Sequence, residues 1–519
     1  MRTGTDPVRR LQGLTRLAGV SSDDHVTVEV RAPFTGDLLA EVPIAEGRDL
    51  DAAVRRAREA FAAWRTVSVR DRVRILLRFR ERLAARGEEL LDILQLETGK
   101  ARRHAFEELA DVQLVLGYYA ARGPRMLRAR RRPGAIPGLT RTWEVLHPVG
   151  VVGVIAPWNY PLSLAVSDSL PAVLAGNAVI VKPDVQTTHT ALAALELLRE
   201  AGLPEGVFQV VPGDGSGTGA GLVDRVDFVA FTGSTAAGRL VAQRAAARLI
   251  GCSLELGGKN PLIVLADADV ERAVAGAVRG SFTNAGQFCV AIERIYVHRS
   301  VFDVFVSAFG ERARGLRLGA ELDYGPDMGS LTGELQLRKV VEHVEDAVSK
   351  GASLHAGGRA RPDLGPLFYE PTVLTGVTPA MRLWSEETFG PVVAVQPFDS
   401  DDEAVHLANA TRYGLNASVW SRDPGAALAL ARRIEAGSVT VNDAYAAAWG
   451  SLDAPLGGWK DSGRGRRHGA EGILKFTVSQ IVSEQRGPSL DLAAPWLASE
   501  RLRRTVLGLL RRFRPRSSA

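Results

Sequence analysis

Cys289 and Glu255 are the side chains whose types and settings could carry covalent chemistry. The first ends the stretch Asn284-Ala285-Gly286-Gln287-Phe288-Cys289. The second lies in Cys252-Ser253-Leu254-Glu255-Leu256-Gly257-Gly258-Lys259-Asn260-Pro261. A thiol is a strong nucleophile only as its thiolate, and a neighbouring carboxylate can take a proton from it or from water. Between the two, the apolar run Leu262-Ile263-Val264-Leu265 predicts a buried strand. Asp267 and Asp269 are N-cap candidates for a helix from Val270 to about Phe282. A carboxylate ending one strand and a thiol on a helix-to-strand connection can share one cleft. Residue type alone favours something blander, since a lone cysteine is usually a small buried hydrophobe and Glu255 could simply cap a strand end.

The flanking residues change that balance. Glu-Leu-Gly-Gly-Lys-x-Pro from Glu255 is followed 34 positions after the Glu by Gly-Gln-x-Cys. Glu97-Thr98-Gly99-Lys100 precedes both, and Pro455-Leu456-Gly457-Gly458-Trp459-Lys460-Asp461-Ser462-Gly463 follows. Motifs of this kind in this order resemble the aldehyde dehydrogenase superfamily over about residues 30–485. The resemblance implies oxidation of an aldehyde to a carboxylic acid through a thiohemiacetal and a thioester on Cys289, with hydride passing to a nicotinamide cofactor. It also implies that Glu255 activates the water that hydrolyses the thioester; members that hand the acyl group to coenzyme A lack this carboxylate. Asn159, in Pro157-Trp158-Asn159-Tyr160-Pro161, matches the oxyanion asparagine acting beside the Cys289 N–H, although read alone it would be a turn cap.

The same resemblance supplies a cofactor site. Phe231-Thr232-Gly233-Ser234-x-x-x-Gly238 matches the strand-turn-helix motif, where Gly233 permits close backbone approach and Ser234 offers a donor to a pyrophosphate. Pro157 and Trp158 are counted with this site. Lys182 matches the lysine that holds the adenosine ribose, and Glu387 and Phe389 match the residues that position the nicotinamide ribose and ring. NAD-preferring members carry Glu three residues after that lysine; here Val185 stands there, after Pro183 and Asp184. Without the carboxylate a 2′-phosphate meets no like charge, so NADP is expected, with NAD the alternative if Asp184 turns inward. No metal site is expected.

For the substrate, the motif wording resembles the NADP-linked succinate-semialdehyde dehydrogenase branch. That branch commonly holds its carboxylate with an Arg eight positions after the oxyanion Asn, where this chain has Ser167 followed by Asp168. Phe288 and Tyr445-Ala446-Ala447-Ala448-Trp449 give the mouth an aromatic, apolar character, so a medium or long-chain or aromatic aldehyde is the alternative. A non-catalytic, membrane-associated interaction protein is a remote one, opposed by the presence of Cys289, Glu255, Asn159 and Lys182 together.

The elements that must position these residues alternate from residue 149 onward between short apolar strands and helices. This predicts an α/β chain with two doubly wound α/β domains. Residues 26–140 and 149–256 are expected to form a cofactor-binding domain and 257–454 a catalytic domain. Residues 141–148 and 455–486 are expected to form a bridging arm that implies a homodimer or homotetramer. Before them, residues 1–25 read as a loosely ordered leader. Residues 49–64, 69–98 and 106–119 read as helices, and 122–137 as an irregular connection.

Composition bounds the partners. The hydrophobic fraction is 46% and the charged fraction 24%, ordinary for a globular protein. No apolar run is long enough to span a bilayer, and two cysteines make no disulfide framework, which fits a cytoplasmic protein. From Leu490 to the end, seven Arg face only Asp491 and Glu500, which accounts for the whole formal net charge of +5. The body is therefore near neutral, which argues against nucleic acid as a partner. In the tail, residues 487–519, Leu502, Val506, Leu509, Leu510 and Phe513 fall on one helical stripe flanked by Arg. Such a helix could lie peripherally on an anionic membrane.

Overall fold

Val151–Ile155, Ala178–Lys182, Phe208–Val210, Phe228–Thr232 and Gly251–Glu255 are the parallel strands of one sheet. All but the first two residues of the last strand are buried, and alternate residues enter different clusters. Val151, Ile180 and Val229 pack with Leu50, Ala53 and Ala57 of the helix Gly47–Trp64. Val152, Val179 and Ala230 share a cluster with Leu162 and Ala165 of Pro161–Ala175. Burial on both faces explains why these strands read as continuous apolar runs rather than alternating ones. The computed structural model describes residues 7–20, 25–135, 139–486 and 499–512.

Across this sheet the order is Gly463–Arg464, Gly251–Glu255, Phe228–Thr232, Val151–Ile155, Ala178–Lys182, Phe208–Val210, the first strand running antiparallel to its neighbour. The winding reverses between Val151–Ile155 and Phe228–Thr232, and such a switch point leaves a crevice at the carboxyl ends of the strands. A second, seven-stranded sheet has the order Ser353–Ala356, Thr372–Thr375, Val392–Phe398, Ile292–His298, Asn260–Val264, Asn416–Trp420, Ser438–Val441. It is parallel except at its Ser353–Ala356 edge. The expected α/β architecture with two parallel sheets is therefore present.

Several expectations need correction. Residues 7–20 are no loose leader: Pro7–Thr15 is a helix with Leu11 and Leu14 fully buried, and Arg10 pairs with Glu89 at 2.6 Å and with Glu196. The helix expected over 69–98 is two, Val69–Ala85 and Gly87–Thr98, because the chain turns at Arg86. The connection expected from 122 begins as helix, since Arg102–Met126 is continuous, and contains the strand Arg130–Arg132.

The chain divides into two compact units. The larger runs to Leu127 and resumes over His147–Val478, so it holds both sheets. The smaller comprises Arg128–Leu146 and the chain from Ser479, with a sheet of Arg130–Arg132, Thr140–Pro148 and Thr477–Gln485. Of the residues expected in the bridging arm, 141–146 and 479–486 fall in the smaller unit, whereas 147–148 and 455–478 belong to the larger one. There Trp459–Lys460 pairs with Tyr413–Gly414, and Gly463–Arg464 completes the first sheet. Glu500–Arg512 is helical; Phe513 and the side chains of Val506, Leu509 and Leu510 lie outside the described residues.

Candidate active site

Glu255 ends a strand of the first sheet, and the chain enters the second sheet at Asn260, so residues 256–259 are the crossing. Cys289 lies just before Ile292–His298, at the amino end of a parallel strand. The two sheets therefore present opposite strand ends to one cleft. A cavity of about 240 Å³ is lined there by Pro157, Trp158, Asn159, Gly233, Ser234, Glu255, Cys289, Glu387 and Phe389. Nine of the ten sequence-predicted site residues meet in this space. The tenth, Lys182, ends the neighbouring strand Ala178–Lys182 and is not among the lining residues.

Glu255 is 9% exposed, and its Oε1 is buried with no hydrogen-bond partner among the described residues. Such an atom is costly unless something comes to occupy it. Burial pushes its carboxyl up to about 7, against the pull of Arg467 and Lys475. Cys289 is only partly exposed. Burial pushes its thiol up to about 12; Arg467 opposes the rise, and Glu255 and Glu387 add to it. At neutral pH the pair is a protonated thiol beside a carboxyl poised to exchange a proton.

Side-chain amides hold the loop before Cys289. Asn284 and Ala285 adopt left-handed conformations, with φ of 52° and 53°, and Gly286 continues at 70°. Asn tolerates this region, but for Ala it stores strain of order 1 kcal/mol or more. Asn284 Nδ2 donates to Asn159 O and Gln287 O, both at 3.0 Å, and Asn260 Nδ2 donates to Cys289 O at 2.9 Å. Asn159 Nδ2 donates to Gln287 O at 3.1 Å, which leaves its second N–H for another acceptor. Lys100 Nζ donates to Asn159 O at 2.7 Å and pairs with buried Glu108, which accepts from Leu162 N and Ser163 N. The Glu97-Thr98-Gly99-Lys100 stretch thus fixes the segment that carries Asn159.

A second buried pair fixes Glu387 and Phe389. Lys259 Nζ is 2.6 Å from Glu293 Oε2, and Glu293 accepts from Thr388 N and Phe389 N, both at 2.8 Å. Phe389 itself has φ of 58°, and its ring meets Trp158 edge-on at 5.6 Å. Glu387 Oε1 accepts from Gly258 N at 2.7 Å; burial and the like charge of Glu293 push it up to about 7. Ser234 Oγ accepts from Ala237 N as N-cap of Thr235–Ala247, leaving its O–H proton and the helix end for an anion. Lys182 is 5% exposed, and burial lowers its pKa. Asp184 does not turn inward: its carboxylate caps Val185–Thr187 by accepting from Gln186 N at 3.0 Å.

Comparison with known proteins bears on what this cleft is. The aldehyde dehydrogenase family matches residues 20–482, nearly the whole chain. The chain belongs to the aldehyde dehydrogenase family. A Mycolicibacterium smegmatis protein named "Putative succinate-semialdehyde dehydrogenase [NADP(+)]" is 52% identical over 482 residues, 93% of each chain. The 4,4'-diapolycopene aldehyde oxidase of a Methylomonas species is 40% identical, over 91% of this chain and 89% of that one. A solved betaine aldehyde dehydrogenase of Staphylococcus aureus, in complex with NAD+, is 33% identical with a TM-score of 0.88, covering 93% of this chain and 97% of that one.

Sequence reasoning missed part of this aldehyde dehydrogenase's cleft. Thr232, Leu256, Gly257, Gln336 and Lys339 also line it. Gln336 and Lys339 sit one turn apart on Glu334–Ser349, where a polar face reads as solvated surface. Arg467 was hidden in the Arg464–Arg467 region, which looks like a surface run. It is buried, with Nη2 at 2.6 Å from both Asp168 Oδ2 and Thr232 Oγ1. Lys475 Nζ is 3.5 Å from Asp168 Oδ1. Burial works to raise Asp168, but Arg467 and Lys475 outweigh it and hold the carboxyl at about 2. Ion pairs between residues so distant in sequence leave no local signal.

Proposed function

We propose that Cys289, Glu255 and Asn159 carry out NAD(P)-dependent oxidation of an aldehyde to a carboxylic acid. The observation that carries this reading is Glu255 Oε1, buried without a hydrogen-bond partner in the cleft that also holds Cys289. Glu255 takes the thiol proton, the sulfur adds to the carbonyl carbon, and the spare N–H of Asn159 with the Cys289 N–H stabilises the alkoxide. A bound nicotinamide cofactor supplies the hydride acceptor that carries the adduct to a thioester. Glu255 gives the thiol proton up to solvent, then takes a proton from water, whose oxygen attacks the thioester; the C–S bond breaks, the acid leaves, and Glu255 returns that proton to the sulfur as the thiol.

The residues present fit such a cofactor. Ser234 at a helix end suits the pyrophosphate, Trp158, Pro157, Gly233 and Phe389 give close-approach surfaces, and Glu387 suits a ribose. Val185, in place of a carboxylate three residues after Lys182, with the Asp184 carboxylate bound to Gln186 N, favours NADP over NAD, while Asp184 and Asp214 both act on the Lys182 charge. The M. smegmatis relative's name supports NADP and a succinate-semialdehyde substrate, whereas the Methylomonas relative's name supports a long apolar aldehyde. The first sheet with its helices is read as the cofactor-binding domain and the second as the catalytic domain. The sheet containing Thr140–Pro148 is read as the arm of a homodimer or homotetramer.

Among the described residues no helix is long and apolar enough to cross a membrane. A cytoplasmic location, with peripheral contact through Glu500–Arg512, is part of this proposal. It predicts that vesicles with anionic lipid sediment the full chain at low salt but not a truncation ending at Gly487; equal sedimentation of both refutes it. For the reaction, Cys289→Ala abolishes aldehyde-dependent NADP reduction, and Glu255→Gln accumulates a thioester seen by mass spectrometry. Steady-state turnover at the wild-type rate in either variant overturns the assignment.

A further inference from the structure

The helix Val270–Phe282 ends just before the loop that leads to Cys289, and its last hydrogen bonds show what ends it. Thr283 sends both its N–H and its hydroxyl to Arg279 O, the hydroxyl at 2.7 Å. A continuing helix would send the next N–H, that of Asn284, to Gly280 O. It goes instead to His104 Nδ1 at 3.2 Å, a ring brought in by the first turn of Arg102–Met126. From there the chain enters its left-handed stretch, and Gly286 lies where a Cβ would come within 2.0 Å of Gly390 O.

Turned this way, Asn284 links two segments of the site. Its Nδ2 reaches both Asn159 O and Gln287 O, and its own carbonyl accepts from Gln287 N at 3.0 Å and Gln287 Nε2 at 3.1 Å. Gln287 Oε1 in turn accepts from Thr332 N at 2.9 Å. The segment bearing Asn159 and the loop bearing the thiol are thereby joined through one residue. His104 is 6% exposed and accepts at Nδ1 only as the neutral imidazole, with its proton on Nε2. Burial, with the charges of Lys100, Arg103 and Arg279, pushes it down to about 3, so the acceptor is present at neutral pH. Without it a buried N–H stands unpaired beside strained Ala285, and a shift of the loop relieves both.

We propose that His104 is a positioning residue for the reaction: by accepting the Asn284 N–H it holds the left-handed loop that sets Cys289 against Asn159. The effect on rate rests on the dehydrogenase reading above; the effect on the surroundings of the thiol does not.

The test uses the full chain and three variants. His104→Leu removes the acceptor at similar volume, His104→Ala removes it and leaves space, and His104→Asn returns an oxygen close to the place of Nδ1. With NADP and either succinate semialdehyde or decanal, the Leu and Ala variants are expected to lower kcat at least about tenfold while KM for NADP moves less than about twofold. The Asn variant is expected to keep at least about a third of the wild-type kcat. Wild-type kcat in either the Leu or the Ala variant overturns the proposal. So does an Asn variant as slow as they are, since loss of packing alone would then explain the result. Labelling of Cys289 by iodoacetamide, read by peptide mass spectrometry, needs no turnover. A loosened loop exposes the thiol, so labelling is expected to quicken at least about threefold in the Leu and Ala variants but not in the Asn variant. Equal labelling in all four proteins overturns the proposal. A wild type that turns over neither aldehyde, while the labelling differs as expected, refutes the dehydrogenase reading and supports the positioning.

Discussion

Replacing Asp168 by Asn tests how the protein sets the proton affinity of Glu255. Asp168 is buried and takes Arg467 Nη2 at 2.6 Å and Nε at 3.1 Å, with Lys475 at 3.5 Å. Asn keeps the shape and one acceptor but leaves two buried cations without their anion. Breaking a buried pair on one side costs about 3–5 kcal/mol. The same change acts on Glu255, which Arg467 and Lys475 lower and Asp168 raises. Removing the Asp168 charge frees both cations to favour the Glu255 carboxylate, so all three effects move its proton affinity downward. A drop of about one pH unit from its position near 7 corresponds to about 1.4 kcal/mol.

Because Glu255 must be ionised to accept a proton, kcat of the wild type rises with pH through about 7. In Asp168→Asn that limb moves to lower pH, so the less stable variant retains a larger fraction of its own maximal rate at pH 6. The stability deficit has its own pH signature. Asp168 is held at about 2, so its contribution is fully present above the ordinary carboxylate range near pH 4 and is lost as pH falls toward 2. Wild type and variant therefore differ by a constant amount in thermal melts at pH 5–6; the gap narrows by about 1.4 kcal/mol between pH 6 and 7, where the raised Glu255 carboxyl costs the wild type more, and the two converge below pH 4. A rate profile with its limb unmoved near pH 7, in a variant that melts like the wild type, refutes the electrostatic account.

Two further substitutions probe the cofactor side. Val185→Glu brings a carboxylate toward the ribose, and the kcat/KM ratio of NADP to NAD is expected to fall about tenfold; an unchanged ratio shows that position 185 does not face that ribose. Gly257→Ala sets a Cβ 2.5 and 2.8 Å from the two Glu387 carboxylate oxygens. It should displace that side chain, raising KM for the cofactor at least about tenfold with little change in thermal melting; an unaltered KM removes Glu387 from the cofactor site.

What the sequence disclosed, and what it hid, follows from where each interaction partner lies along the chain. The residues proposed to react sit in short stretches with their supports beside them, so the sequence alone brings Cys289, Glu255 and Asn159 forward, and one cavity is lined by all three. The strand Asn416–Trp420 was missed, because its polar residues are buried for tertiary reasons: Asn416 Nδ2 donates to Val290 O and Ala444 O, and Ser418 Oγ to Asp443 O. The N-terminal helix was missed because only Leu11 and Leu14 bury fully, too few to set a period.

The electrostatics were least legible. Lys259 and Glu293 are 34 positions apart, and Arg467 and Asp168 are 299 apart. Each reads locally as a solvated charge. Yet Glu293 anchors the backbone of Phe389, Glu108 anchors Leu162 and Ser163, and Arg467 biases both Glu255 and Cys289. Burying these charges carries a desolvation cost that a packed apolar core would avoid, and buried pairs of this kind are weak contributors to net stability. Each holds a segment next to the cleft, a placement better explained by positioning and proton affinity than by stability.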